Sequence, residues 1–189
     1  MSISAVLLTG GESRRMGEDK ATLLFHGKPL WQIQLETLRR LKPAELFVSA
    51  STDPPWRPDD VQFVADVPPS RGPLSGLAAS LERMRTRHLL ALAIDMPFMS
   101  ANYLRYLCHQ IAPACGVLPK IGSLAEPLAA IYPRDVAIDF RSALAGADFS
   151  LQKLTSRLVK TGKLGPIPVS EEAREFFLNV NQPADVQSV

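Results

Sequence analysis

The residues able to do chemistry crowd the start of the chain. Gly10, Gly11 and Gly17 alternate with Arg14, Arg15 and Lys20, directly after the apolar run Ala5–Leu8. Glycine lets the backbone bend through conformations closed to other residues and lets a ligand approach the main chain closely. Bare N–H groups in such a loop form a concave anion site. Arg15 and Lys20 add full positive charge where phosphate oxygens would lie. A buried strand feeding a glycine-rich basic loop is a phosphate site in outline. It is not the Walker loop, because Lys20 follows Asp19, and not Gly-x-Gly-x-x-Gly, because Gly10 and Gly11 are adjacent. The plain alternative is a polar surface loop that uses glycine to turn.

Two carboxylates follow apolar runs further along, Asp66 after Val61–Val64 and Asp95 after Leu89–Ile94. Phosphoryl and nucleotidyl transfer need charge neutralisation and alignment more than a nucleophilic side chain. A Mg²⁺ ion held by one or two carboxylates, with phosphates and water completing its shell, supplies much of that. Asp95, at the tip of the most apolar strand and just before Pro97, is the first candidate for the metal. Capping the next helix is its other use. Asp66 could equally make a turn. Lys20, Arg15 and Asp95 are the candidate catalytic set.

The elements that would position them can be read from the spacing. Strands are expected at Ala5–Leu8, Thr22–Phe25, Leu46–Ala50, Val61–Val64 and Leu89–Ile94. Helical faces are marked by Trp31, Leu35, Leu38 and Leu41, by Leu74, Leu77, Leu81 and Met84, and by Leu104, Leu107 and Ile111 behind a Ser100 cap. This order predicts an α/β fold, a doubly wound, mostly parallel sheet with helices on both faces. Ligands bind such sheets beyond the carboxyl ends of the strands, so the glycine loop, Asp66 and Asp95 should share one crevice. The last third is less regular. Cys115–Leu118 and Leu128–Tyr132 read as strands separated by Pro119–Pro127, with helices at Val136–Leu144 and around Leu151, Leu154 and Leu158. Gly162–Pro168 reads as a linker and Phe176–Val180 as a short final strand. The chain is expected to form one domain, 1–189, in which the last third, 113–189, is a lobe on the same sheet as 1–112.

Leu8-Thr9-Gly10-Gly11-x-Ser13-x-Arg15-Met16-Gly17-x-Asp19-Lys20-Ala21, followed by Gly27-Lys28-Pro29-Leu30, closely resembles the opening of the molybdenum cofactor guanylyltransferases. That family lies within the wider group of sugar-nucleotide and cofactor nucleotidyltransferases. The resemblance implies that GMP passes from GTP to molybdopterin with release of diphosphate, and that Mg²⁺ sits on Asp95, whose Asp95-Met-Pro matches the family's Asp-x-Pro. It implies GTP contacts from Leu8, Thr9, Gly10, Gly11, Lys20, Asp66 and Asp95, and from Gly72 and Gly76 of the Gly-Pro-Leu-Ser-Gly segment. Ser49 stands where some members place a nucleotide-binding asparagine, and a serine lacks the amide's paired donor and acceptor. Asn179 and Asn181 match the closing motif near the acceptor. Near Asp148-Phe149-Ser150, where some members carry an arginine for the acceptor's phosphate, this chain has none; Arg157, Lys153 or Lys120 could replace it. The same resemblance, at Gly11 and the Gly72–Gly76 segment, implies guanine over cytosine.

Composition narrows the remaining classes. With 21 basic and 19 acidic residues interspersed, and a net charge of +2, no strong field for nucleic acid or a membrane arises. At 189 residues and 46% hydrophobic, the chain can bury a core. No leader and no long apolar run is evident, so a cytoplasmic protein is expected, acting as a monomer on small molecules. Cys108 and Cys115 fit no metal or redox spacing, and the histidines cluster with no carboxylate. The rival readings are a cytidylyl- or uridylyltransferase on another phosphorylated acceptor, and a non-catalytic nucleotide-binding protein of the same fold.

Overall fold

The computed structural model describes residues 2–9 and 19–180. Its centre is β1 (Ser4–Leu8), flanked in parallel by β4 (Glu45–Ala50) and β6 (His88–Ala93). β5 (Gln62–Ala65) continues the sheet in parallel beyond β4. On the other side β9 (Ile131–Pro133) pairs antiparallel with β6, then come β7 (Gly116–Ile121) and the edge strand β10 (Leu164–Pro168), parallel to each other. The order is β10-β7-β9-β6-β1-β4-β5, with β8 (Leu124–Ala125) hairpinned onto β7. A separate two-stranded hairpin joins β2 (Leu24–Phe25) to β3 (Lys28–Pro29).

The sequence periodicities explain the layers. Every residue of β1 and β6 is buried, because alternate side chains enter opposite cores. Ala5, Leu7, Leu90 and Leu92 face a cluster with Leu30, Leu35 and Leu38 of α1 (Leu30–Arg39) and Leu104 and Leu107 of α3 (Ala101–His109). Val6, Leu8, Leu89 and Ala91 face Leu74, Leu77 and Leu81 of α2 (Pro73–Arg83), Phe140 of α4 (Ala137–Ala145), and Leu154 and Leu158 of α5 (Leu151–Lys160). Each fully buried leucine contributes roughly 1.5–3 kcal/mol relative to exposure. Ser100 caps α3 by accepting a hydrogen bond from Tyr103 N, as its position suggested. The doubly wound, mostly parallel sheet with helices on both faces is therefore observed, with β8 and β9 as its antiparallel members.

Four local expectations are corrected. The stretch expected as a linker, Gly162–Pro168, holds β10. Its Pro166 and Pro168 lack N–H donors, but an edge strand tolerates this because its outer side has no partner. The expected strand at Thr22–Phe25 is instead a 3₁₀ turn, Lys20–Thr22, followed by β2. The expected strand Leu128–Tyr132 begins as a 3₁₀ turn at Pro127–Ala129, where proline sets the first position, and only then becomes β9. The expected final strand, Phe176–Val180, overlaps the 3₁₀ segment Glu171–Phe177, whose two phenylalanines pack on Tyr103.

Candidate active site

Parallel pairing puts the strand ends level. Leu8 lies in register with Ser49 on one side and Ala93 on the other, and Ser49 with Val64. Beyond that line the backbones stay stitched together. Thr9 N donates to Ser49 O at 3.0 Å, Ile94 N to Leu8 O at 3.0 Å, and Asp66 N to Ala50 O at 3.0 Å. Thr9, Asp66 and Asp95 thus emerge at one rim, although they are remote in sequence.

Lys20 reaches this rim from the 3₁₀ turn that follows the glycine loop. Its Nζ lies 2.9 Å from Asp95 Oδ2, and the two side chains are only 15% and 22% exposed, so water screens the pair weakly. Asp19 fixes the turn. Its Oδ1 accepts from Ala21 N at 3.0 Å and its Oδ2 from Trp56 Nε1 at 2.8 Å. Trp56 in turn stacks on Trp31 with ring centroids 5.5 Å apart. The Ser51–Asp60 loop therefore braces Lys20 from behind. The sequence pattern does not reveal the Trp56 brace; the one signal for the turn is an aspartate two residues before Ala21, a helix-cap spacing.

On the β4–β5 flank, Ser49 Oγ donates to Asp66 Oδ1 at 3.0 Å and Ser70 Oγ to Asp66 Oδ2 at 3.2 Å. Thr9 Oγ1 adds a bond to Ser49 O at 3.0 Å. Gly76 closes against this pair: a Cβ there would meet Ser49 Oγ at 2.5 Å, and Asp66 Oδ1 and Leu8 Cδ2 at 3.2 Å each. Gly72 begins α2 with φ +62°, a left-handed conformation that favours glycine. Leu8, Thr9, Ser49, Asp66, Gly72 and Gly76 are thus gathered on one flank of Asp95. Ser70 was missed because a serine in a proline-rich loop carries no pattern of its own.

The last third also meets Asp95. Val180 N donates to Asp95 O at 2.8 Å, which brings exposed Asn179 beside it. Gly10, Gly11, Arg15 and Asn181 lie outside the described residues. Of the cations considered for the acceptor, Lys153 is paired with Asp148 at 2.7 Å. Arg157 lines a shallow surface groove with Lys153, Ser156 and Lys160 on α5. The Arg71 guanidinium lies over Phe149, 4.4 Å from the ring centroid.

Asp95 Oδ2 takes Lys20, while Oδ1 receives no hydrogen bond from a described residue. Asp95 therefore fits a hard cation that draws most of its ligands from phosphates and water. Among the described residues no group of three or more His, Cys, Asp or Glu could form an all-protein cage. No helix among them is long and apolar enough to cross a membrane.

Known proteins share this fold. The profile of the MobA-like NTP transferase domain matches residues 5–161. A molybdenum cofactor guanylyltransferase of Xanthomonas euvesicatoria is 38% identical, over 95% of this chain and 90% of its own. One from Syntrophotalea carbinolica is 33% identical, over 97% and 89%. The crystal structure of molybdopterin-guanine dinucleotide biosynthesis protein A from Archaeoglobus fulgidus superposes with a TM-score of 0.75 at 23% identity, covering 98% of this chain and 95% of that one. A 2-C-methyl-D-erythritol 4-phosphate cytidylyltransferase from Thermus thermophilus gives 0.68 at 16% identity, over 99% and 96%.

Proposed function

Because this chain belongs to the MobA-like NTP transferase family, among the molybdenum cofactor guanylyltransferases, we propose that it transfers GMP from GTP to molybdopterin. An oxygen of the acceptor's terminal phosphate attacks the α-phosphorus. A new phosphoanhydride bond forms as the bond to the β-phosphate breaks, and diphosphate leaves. The observation that carries the reading is the Lys20–Asp95 pair, 2.9 Å apart across 75 residues of sequence at the carboxyl ends of β1 and β6.

The flank of Leu8, Thr9, Ser49, Asp66, Gly72 and Gly76 holds the nucleoside, with Asp66 fixed by two serine hydroxyls to accept from it. Gly10 and Gly11 cradle the phosphates through backbone N–H groups, and Arg15 adds charge. Lys20 Nζ faces the transferring phosphorus, where negative charge grows in the transition state. Asp95 would hold Mg²⁺, which when bound would supply neutralisation of the phosphate charge. Asn179 and Asn181 hold the acceptor. Residues 1–112 then bind the nucleotide and 113–189 the acceptor, within one monomeric, cytoplasmic domain.

The test is product formation. Purified protein with GTP, Mg²⁺ and molybdopterin should release diphosphate and form the guanine dinucleotide, and Asp95→Ala should not. Equal turnover of CTP or UTP would favour the cytidylyl or uridylyl reading. Tight GTP binding without diphosphate release would favour a nucleotide sensor.

A further inference from the structure

Glu126 is a carboxylate whose backbone is held firmly while its side chain has no partner among the described residues. It lies between β8 and β9, where the chain runs back along β6. Leu90 pairs with Ile131 and Ala91 N donates to Ala130 O at 2.9 Å. The 3₁₀ turn Pro127–Ala129 then continues toward the carboxyl end of β6, where Asp95 stands. Glu126 N donates to Pro119 O at 2.9 Å, which ties it also to the carboxyl half of β7. Glu126 is therefore at the same rim as Asp95, on the side away from Ser49, Asp66 and Gly76.

Its backbone is clamped on both sides. The Gln152 amide grips Ala125 twice, Oε1 accepting from Ala125 N at 3.2 Å and Nε2 donating to Ala125 O at 2.7 Å. The buried Tyr132 hydroxyl donates to Pro127 O at 2.7 Å. Yet no hydrogen bond or ion pair joins the Glu126 carboxylate to a described residue. Burial alone raises its pKa above the ordinary glutamate value, with no cation to offset the effect. Neighbouring residues thus hold in place a half-buried carboxylate that has no protein partner among the described residues and is open to a ligand at the rim.

Phosphates cannot complete it, since they repel a carboxylate. Paired N–H donors can, because two carboxylate oxygens accept a ring N–H and an adjacent amino group together. Guanine and pterin both carry that edge, a ring N–H beside an exocyclic NH₂. The nucleoside flank lies on the opposite side of Asp95, which leaves the acceptor. We propose that Glu126 binds the N–H donor edge of the acceptor's pterin and so positions its phosphate toward Asp95. The assignment rests on the guanylyl-transfer reading above.

Steady-state kinetics of Glu126→Gln tests it, with each substrate varied in turn. Glutamine keeps the size and removes the charge, so the fold is retained. KM for molybdopterin should rise about 10- to 100-fold, the loss expected for a charged hydrogen-bond partner. KM for GTP and the Mg²⁺ concentration for half-maximal rate should stay within about twofold, within the scatter that marks no lost contact. Glu126→Asp should restore part of the molybdopterin affinity. An unchanged KM for molybdopterin overturns the assignment. So does a raised KM for GTP, which would mean the guanine edge is read, or a raised Mg²⁺ requirement, which would make Glu126 a metal ligand. Wild-type protein that forms no dinucleotide at all would instead sink the transfer reading, and this one with it.

Discussion

Replacing Gly76 by alanine isolates the nucleoside flank. The new Cβ would stand 2.5 Å from Ser49 Oγ, well inside van der Waals contact, and 3.2 Å from Asp66 Oδ1. Ser49 is 1% exposed on a central strand, so its backbone cannot retreat. The relief open to it is rotation about χ1, which breaks the hydrogen bond to Asp66. A hydrogen bond to a charged group is worth about 1.5–3 kcal/mol. Alanine in the first turn of α2 returns about 0.5–1 kcal/mol over glycine. The net cost of about 1–2 kcal/mol should lower Tm by about 2–8 °C for a chain of this size. Asp66, no longer oriented, should weaken GTP binding about 10- to 100-fold. Calorimetric titration of GTP and thermal unfolding measure the two effects separately. Ser49→Ala supplies the control, because it removes the hydroxyl without adding the methyl. The Gly76→Ala/Ser49→Ala double variant should bind GTP no worse than Gly76→Ala alone, since both act through one bond. Wild-type affinity in Gly76→Ala, or fully additive losses in the pair, would refute the reasoning.

The remaining predictions address other groups. Lys20→Ala should slow turnover by orders of magnitude while GTP still protects the protein against heat; a loss below about threefold would remove Lys20 from the transition state. Glu126 has a folded pKa above its ordinary value, so the folded state retains a proton that the unfolded chain gives up. Stability should therefore fall as pH rises from the ordinary glutamate value upward, and Glu126→Gln should be the more stable protein at neutral pH, with the gap closing on acidification. His88, buried in β6, has its pKa lowered chiefly by burial. The unfolded chain then takes the proton first, so stability should drop as pH falls through the ordinary histidine value; His88→Leu should flatten denaturant midpoints across that range.

The parallel core was legible in the sequence because its strands are continuously apolar and its helices keep a clean 3.6-residue stripe. Leu89–Ile94 and the Leu74–Leu77–Leu81 face could hardly be read otherwise. The aspartates at strand ends were legible for the same reason, since the topology decides where such ends meet. The last third hid its strands. Leu164-Gly-Pro-Ile-Pro168 carries the residues that argue against a strand, and only its place at the sheet edge makes them acceptable. Phe176 and Phe177 looked like a strand because aromatic residues favour one, but contacts with Tyr103 decided their conformation. Within the site, Asp66, Lys20 and Asp95 were visible as charged residues beside strands or glycines. Trp56, which holds Asp19, and Gln152, which holds Ala125, were not, because each acts on a residue distant in sequence through a single side chain; Ser70, four residues from Asp66, carries no pattern of its own.

The most direct measurement is a crystal structure with a non-hydrolysable GTP analogue and Mg²⁺. The account predicts a metal on Asp95, Lys20 Nζ within hydrogen-bond reach of the phosphate chain, and the guanosine beside Ser49, Asp66 and Gly76. A nucleotide seated elsewhere, or one whose phosphates point away from Lys20 and Asp95, would contradict it.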